Sequence, residues 1–172
     1  MHTDTRILDM EQNKRPDVSF VWNILDVVLR DVFRHNELGQ VILPFVVLRR
    51  IDCCLKPVNE KVRATYASFK DKLSPEKLEP VLRKSASVGG KSLPFYNTSN
   101  FSFESLLQDP ANIDLNFKSY INGFNNEVLD ILENFHFDST LSRIVRYGLL
   151  YNLIQEISAV KQITPEESDD IA

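Results

Sequence analysis

The residues with the plainest chemical potential are Val88-Gly89-Gly90-Lys91-Ser92. A loop that cradles nucleotide phosphates reads G-x-x-x-x-G-K-[ST]: backbone N–H groups and the lysine hold the anion, and the hydroxyl holds its magnesium. Gly90, Lys91 and Ser92 fit that ending. The first glycine of the pattern would have to be residue 85, which is Ser85, and no buried strand leads into the loop. The stretch therefore reads as a mobile surface loop.

Two further sets of reactive side chains lead no further. Cys53 and Cys54 are adjacent, which is neither a zinc half-site nor a C-x-x-C redox pair. They read as core residues, with at least one buried, because successive helical positions face different ways. His2, His35 and His136 are far apart and share no metal-ligand spacing with another His, Cys or acid pair. His35 falls near a helix C-terminus, where a partly positive ring suits the dipole. The pair Glu166-Glu167 sits in a polar tail and reads as solvated. No catalytic, cofactor-binding or metal-ligating set is expected.

Charge is more informative by region than in sum. The chain carries a net −4, yet residues 49–91 hold eleven Lys/Arg against five acids, a balance of +6, while residues 164–172 contribute −4 alone. The middle third is thus a candidate face for nucleic acid or an acidic partner. The alternative is an ordinary solvated surface of Lys/Glu pairs.

These residues must be positioned by helices. Five glycines in 172 residues is few for a turn-rich β protein, and no strand-like alternation is sustained. Apolar residues at Val18, Val21, Leu25, Val28 and Val32 predict a first helix over residues 17–36, with Gly39 beyond its end. Val41 to Leu55 predicts a central second helix with Pro44 in its first turn. A polar helix follows over 59–73, and Ser74-Pro75-Glu76 opens another that reaches about Lys84. Residues 85–100 read as a loop. FSFESLLQ is a short helix ended by Pro110. IDLNFKSYINGF and NNEVLDILENF, the latter beginning at Asn125 with Val128, Ile131, Leu132 and Phe135 inward, are two more. DSTLSRIVRYGLLYNLIQEISAV is a long last helix capped by Asp138 or Ser139. The expectation is an all-α, compact multi-helix bundle of about six to eight helices with no substantial sheet. A polar arm over 1–16 precedes the helical domain over 17–163, and 164–172 form an acidic tail or the start of a linker. The longest apolar run ends at Leu48, where Arg49 and Arg50 follow, short of the about 20 residues a spanning helix needs, and the first residues are too polar for a signal peptide. A cytoplasmic protein without membrane attachment is expected.

Three segments together resemble a known family. FVWNILDVVLRD followed by VILPFVVLRRIDCCL is similar to the opening helix pair of the N-terminal domain of the modification (methyltransferase, HsdM-type) subunit of type I restriction–modification systems. FSFESLLQDPANIDLNFKSYINGFNNEVLDILENFHF and LLYNLIQEIS continue the likeness in the expected order. The resemblance covers most of residues 18–158. It rests on the combination, since none of the three is a short catalytic signature.

The resemblance implies that a methyltransferase domain should follow, binding S-adenosylmethionine and flipping a target adenine into an Asn-Pro-Pro-Phe/Tyr pocket. This sequence has no Pro-Pro pair; Leu93-Pro94-Phe95 and Asp109-Pro110 do not match. The expectation is a non-catalytic N-terminal part with no cofactor of its own. Its implied partners are the specificity subunit, a second modification subunit, its own C-terminal methyltransferase domain and double-stranded DNA. Its implied work is to help clamp the DNA and tell hemimethylated from unmethylated sites. Charge, not the resemblance, nominates Arg49, Arg50, Lys56, Lys61, Arg63, Arg83, Lys84 and Lys91 as the pool of phosphate or partner contacts. Arg49 and Arg50 match the family's Arg-Arg but are equally placed to pair with Asp26, Asp31 or Asp52. The competing reading is a protein-interaction module without DNA contact, docking through an apolar stripe such as Val128, Ile131, Leu132 and Phe135.

Overall fold

The computed structural model describes residues 18–160, so the expected arm over 1–16 and tail over 164–172 lie outside the described residues. Nine α-helices, one 3-10 turn and a two-stranded ribbon make up the described residues. The all-α bundle expected from periodicity is what the chain forms. It has one helix more than the upper bound expected, because the last predicted helix is two.

Helix α1 (Val18–Leu29) stops well before Asn36, and α2 (Leu38–Leu55) starts earlier than expected. Gly39 therefore lies in the first turn of α2, and Pro44 lies inside that helix. The reason is a long-range partner. Arg143 donates to the Val32 carbonyl, sits 4.4 Å from the Phe33 ring centroid and pairs with Glu37 at 3.7 Å. Cation–π, hydrogen bond and ion pair together close the turn between the two helices.

Helices α3 (Asn59–Phe69) and α4 (Pro75–Ser85) pack as a hairpin. Pro75 takes the first helical position as expected, although Ser74 makes no side-chain cap. Strands β1 (Ser87–Val88) and β2 (Lys91–Ser92) pair antiparallel across Gly89 and Gly90. Both glycines have positive φ, 57° and 81°, which a tight two-residue hairpin turn requires. The stretch expected as a mobile loop is thus a paired turn, and the two glycines serve that turn.

Helix α5 (Phe103–Leu106) is capped reciprocally by Ser102 and Ser105. A 3-10 turn at Pro110–Asn112 leads into α6 (Ile113–Asn122), so Pro110 opens a turn instead of ending a helix. Asn125 precedes α7 (Asn126–Asn134) as expected. Helices α8 (Phe137–Arg146) and α9 (Leu150–Ala159) replace the single long helix. Gly148 at φ 66° reverses the chain there, and Leu149 N–H donates back to Ile144 O at 3.1 Å. At the other end of α8, His136 (φ 53°) takes the position before Phe137, and neither Asp138 nor Ser139 caps.

The core centres on α9 as much as on α2. Leu150, Leu153, Ile154 and Ile157 are buried, and α9 packs on α1, α2, α5, α6 and α8. Phe45 joins α2 to α6 through Phe117 (5.9 Å between centroids) and to α8 through Phe137 (5.2 Å). On α7, Val128 and Leu132 are inward, while Ile131 is exposed and Phe135 half-buried, so the expected stripe is narrower than four residues. Both cysteines are half-buried, and neither is fully enclosed as expected.

Candidate functional site

A cleft of about 920 Å³ opens where the C-terminal end of α2 meets α3, α5 and the end of α9. Arg49, Asp52, Lys56, Arg63, Glu104 and Ser158 are among its walls. Two of these come from the apolar run of α2, one turn apart, so both reach the same side. Arg49 Nη1 meets Asp52 Oδ2 at 3.3 Å, and its Nη2 donates to the Ser158 carbonyl at 3.4 Å.

Asp52 is the buried hub of this corner. Its Oδ1 accepts from Phe103 N–H, the first residue of α5, at 3.3 Å, and from the Tyr120 hydroxyl at 3.2 Å. One carboxylate thus joins α2, α5 and α6 and satisfies a helix-end N–H. Burial pushes its carboxyl above the ordinary range, against the pull of Arg49 and of the two donors. Burial, reinforced by Asp52, drives the Tyr120 hydroxyl well above its usual value. The Cys53 thiol is also raised by burial, which argues against a reactive thiolate in the cleft.

The segment from Leu93 to Ser102 is a strap laid across the domain. Arg63 holds it with Nε to Ser99 O at 2.7 Å and Nη2 to Phe101 O at 3.3 Å. Asn97 bonds the Tyr120 carbonyl at 2.8 Å, Thr98 N–H bonds Gly123 O at 2.8 Å, and Asn125 Oδ1 accepts from Tyr96 N–H at 3.0 Å. Beyond the strap, Arg83 clasps α4 to α7. It reaches Glu79 Oε1 at 2.8 Å through Nε and Glu127 Oε1 at 2.6 Å through Nη2. Those carboxylates raise Arg83 further above its already high value. A backbone N–H, the Asn125 amide and Arg83 pull Glu127 below the usual range.

The eight nominated cations therefore divide. The cleft gathers Arg49, Lys56 and Arg63. Arg49, Arg63 and Arg83 are bound internally, and Arg49 has paired with Asp52, one of the three acids considered for it. Arg50, Lys61, Lys84 and Lys91 are exposed and make no ion pair among the described residues, and Lys56 makes only a 3.9 Å contact to exposed Glu104. Sequence reasoning missed Arg143, Tyr120, Asn97 and Asn125. None of the last three stands in an apolar run, so no local signal marked them.

Among the described residues no group of three or more His, Cys, Asp or Glu is placed to hold a metal ion, and no helix is long and apolar enough to cross a membrane. The family described as the HsdM N-terminal domain matches residues 18–157, which is 140 of the 172 residues. Neither the curated proteins nor the solved structures compared gave a match.

Proposed function

The chain belongs to the HsdM N-terminal domain family, the N-terminal part of the modification subunit of type I restriction–modification systems, and we propose that it works there without catalysis, as a clamp on DNA. On this reading it contacts duplex phosphates through the exposed cations of its middle third. It also meets the specificity subunit and a second modification subunit, in the cytoplasm. The methyltransferase domain of the same subunit would bind S-adenosylmethionine and carry the chemistry. Sensing of methylation state would follow from how firmly the clamp closes.

The observation that carries this reading is the division of the cations. Five of the eight, Arg50, Lys56, Lys61, Lys84 and Lys91, are exposed, and four of them make no ion pair among the described residues. Free surface cations raise phosphate affinity without reading sequence. The test is duplex binding by the full chain across a salt series. Lys84→Glu with Lys91→Glu should lower affinity about tenfold and flatten the slope of log K against log salt by about two. The melting temperature should stay within about 1 °C, because exposed charges contribute little to stability. Binding that ignores both salt and these reversals would sink the DNA reading.

One observation favours a protein-docking role beside it. Leu115 on α6 and Tyr147 just beyond the end of α8 stand 68% and 58% exposed, and these two helices wall a groove of about 540 Å³ lined by Lys118, Ile121, Leu141 and Val145. Under the pure interaction reading, Leu115→Asp abolishes capture by a partner subunit while duplex binding is absent from the start.

A further inference from the structure

We infer that the β1–β2 ribbon enters the major groove of duplex DNA tip first, with Val88 against the base edges and Lys84 and Lys91 on the flanking phosphates. The inference rests on the DNA reading and names the element that carries it. Its first support is shape. The ribbon's root is enclosed: Ser85 and Ala86 are buried. A few residues on, Val88, Gly89, Gly90, Lys91 and Ser92 are all exposed, and a methyl group on either glycine would meet nothing within 4 Å. The ribbon therefore stands out from the domain. It is also stiff. Ser87 Oγ donates to the Lys84 carbonyl at 2.7 Å, Leu93 N–H donates to Ala86 O at 2.7 Å, and the positive φ of both glycines sets the turn. From Ala86 to Gly89, at about 3.3 Å per residue, the ribbon reaches about 10 Å, against a major groove about 8.5 Å deep. Two strands about 4.8 Å apart, with their side chains, fit the about 12 Å width of that groove and not the about 6 Å of the minor one.

The second support is what the ribbon's two faces carry. Val88 and Lys91 are register partners, so their side chains share one face. Ser87 and Ser92 share the other, with their hydroxyl oxygens 3.2 Å apart. Val88 is 47% exposed, an apolar side chain held in water next to the turn. The major groove offers such a group the methyls of thymine. The third support is charge. From Pro80 to Phe103 the chain holds Arg83, Lys84 and Lys91 and no acid. Glu79 and Glu127 both pair with Arg83, and with those two acids counted this corner remains at +1. Lys84 lies in the last turn of α4 at the ribbon's root, and Lys91 lies beside its tip. Neither makes an ion pair among the described residues, so two free cations flank the ribbon as phosphates flank a groove.

The experiment compares the full chain's affinity for two duplexes of the same sequence. In one of them every cytosine carries a glucosylated hydroxymethyl group at C5, which fills the major groove and leaves the phosphates in place. At low salt the filled duplex should bind about tenfold more weakly than the plain one. Val88→Ser keeps the charge and alters an exposed position. It should weaken binding to the plain duplex about threefold and leave the filled one unchanged. Equal affinity of the natural chain for both duplexes overturns the inference, and a steep salt slope beside it leaves the phosphate clamp standing. Discrimination between the duplexes that Val88→Ser does not alter means that another element enters the groove, which also overturns it. Absence of binding to either duplex overturns the clamp and the ribbon together.

Discussion

Two arginine–carboxylate clusters sit near the two ends of the strap, and they behave in opposite ways. At the cleft, Arg49 and Asp52 are 16% and 8% exposed. At the clasp, Arg83 is 34% exposed and its two acids, Glu79 and Glu127, 38% and 57%. The pairing chemistry is the same. Yet the Asp52 carboxyl is pushed up and the Glu127 carboxyl is pulled down. Burial decides the sign: an enclosed carboxylate loses more hydration than one arginine restores, whereas an open one keeps its water and gains a backbone N–H, an amide and a cation. The closed cluster sets the fold, and the open one holds two helices that water could separate.

The sharpest way to break this contrast is Asp52→Ala. It leaves the Arg49 guanidinium, Phe103 N–H and the Tyr120 hydroxyl without their common acceptor, so stability should fall by about 3 kcal/mol. Urea unfolding followed by circular dichroism measures it. A loss under about 1 kcal/mol would put Asp52 in the same class as the clasp and erase the distinction.

Next in size is Gly123→Ala, which tests the strap between the clusters. A methyl group there would lie 2.4 Å from Asn97 Oδ1 and 2.7 Å from Ser99 N, and backbone cannot yield as a side-chain end can. The expected cost is about 2 kcal/mol. Hydrogen exchange should quicken at Thr98 and Asn125, whose N–H groups bond Gly123 O and Tyr96 O. If those amides stay protected, the close approach at Gly123 does not govern the strap.

The contrast also explains how far sequence could see. Helical periodicity fixed most elements because each amphipathic stripe is local. The ends that went wrong were set by distant partners or by one backbone angle. Arg143 closes the α1–α2 turn from 111 residues away, and Gly148 breaks a periodicity that continues on both sides of it. The cation pool was legible by residue type. Its division was not, because Arg63 spends its donors on carbonyls 36 and 38 residues away and Arg83 finds Glu127 at a separation of 44. Asp52 carried the best local hint, a lone acid between Ile51 and two cysteines, one helical turn after Arg49.

The smallest effects separate the clusters by pH. Asp52 has a raised folded-state value, so protons bind the native state more tightly there, and its contribution to stability declines as pH rises from the ordinary 3.8 through that raised value. Against Asp52→Asn, the natural chain should gain stability as pH falls through this window. Glu127 has a lowered value, so its contribution is present above the ordinary 4.5 and disappears as pH falls below it. Against Glu127→Gln, the natural chain should lose its advantage on the same acid titration. The Glu127 difference should shrink at about 1 M salt, where screening acts within about 3 Å, while the Asp52 difference persists because burial is the largest cause of its shift. Melting curves of the two variants at several pH values and two salt concentrations test both signs. Two slopes of the same sign would mean that burial does not distinguish the cleft from the clasp.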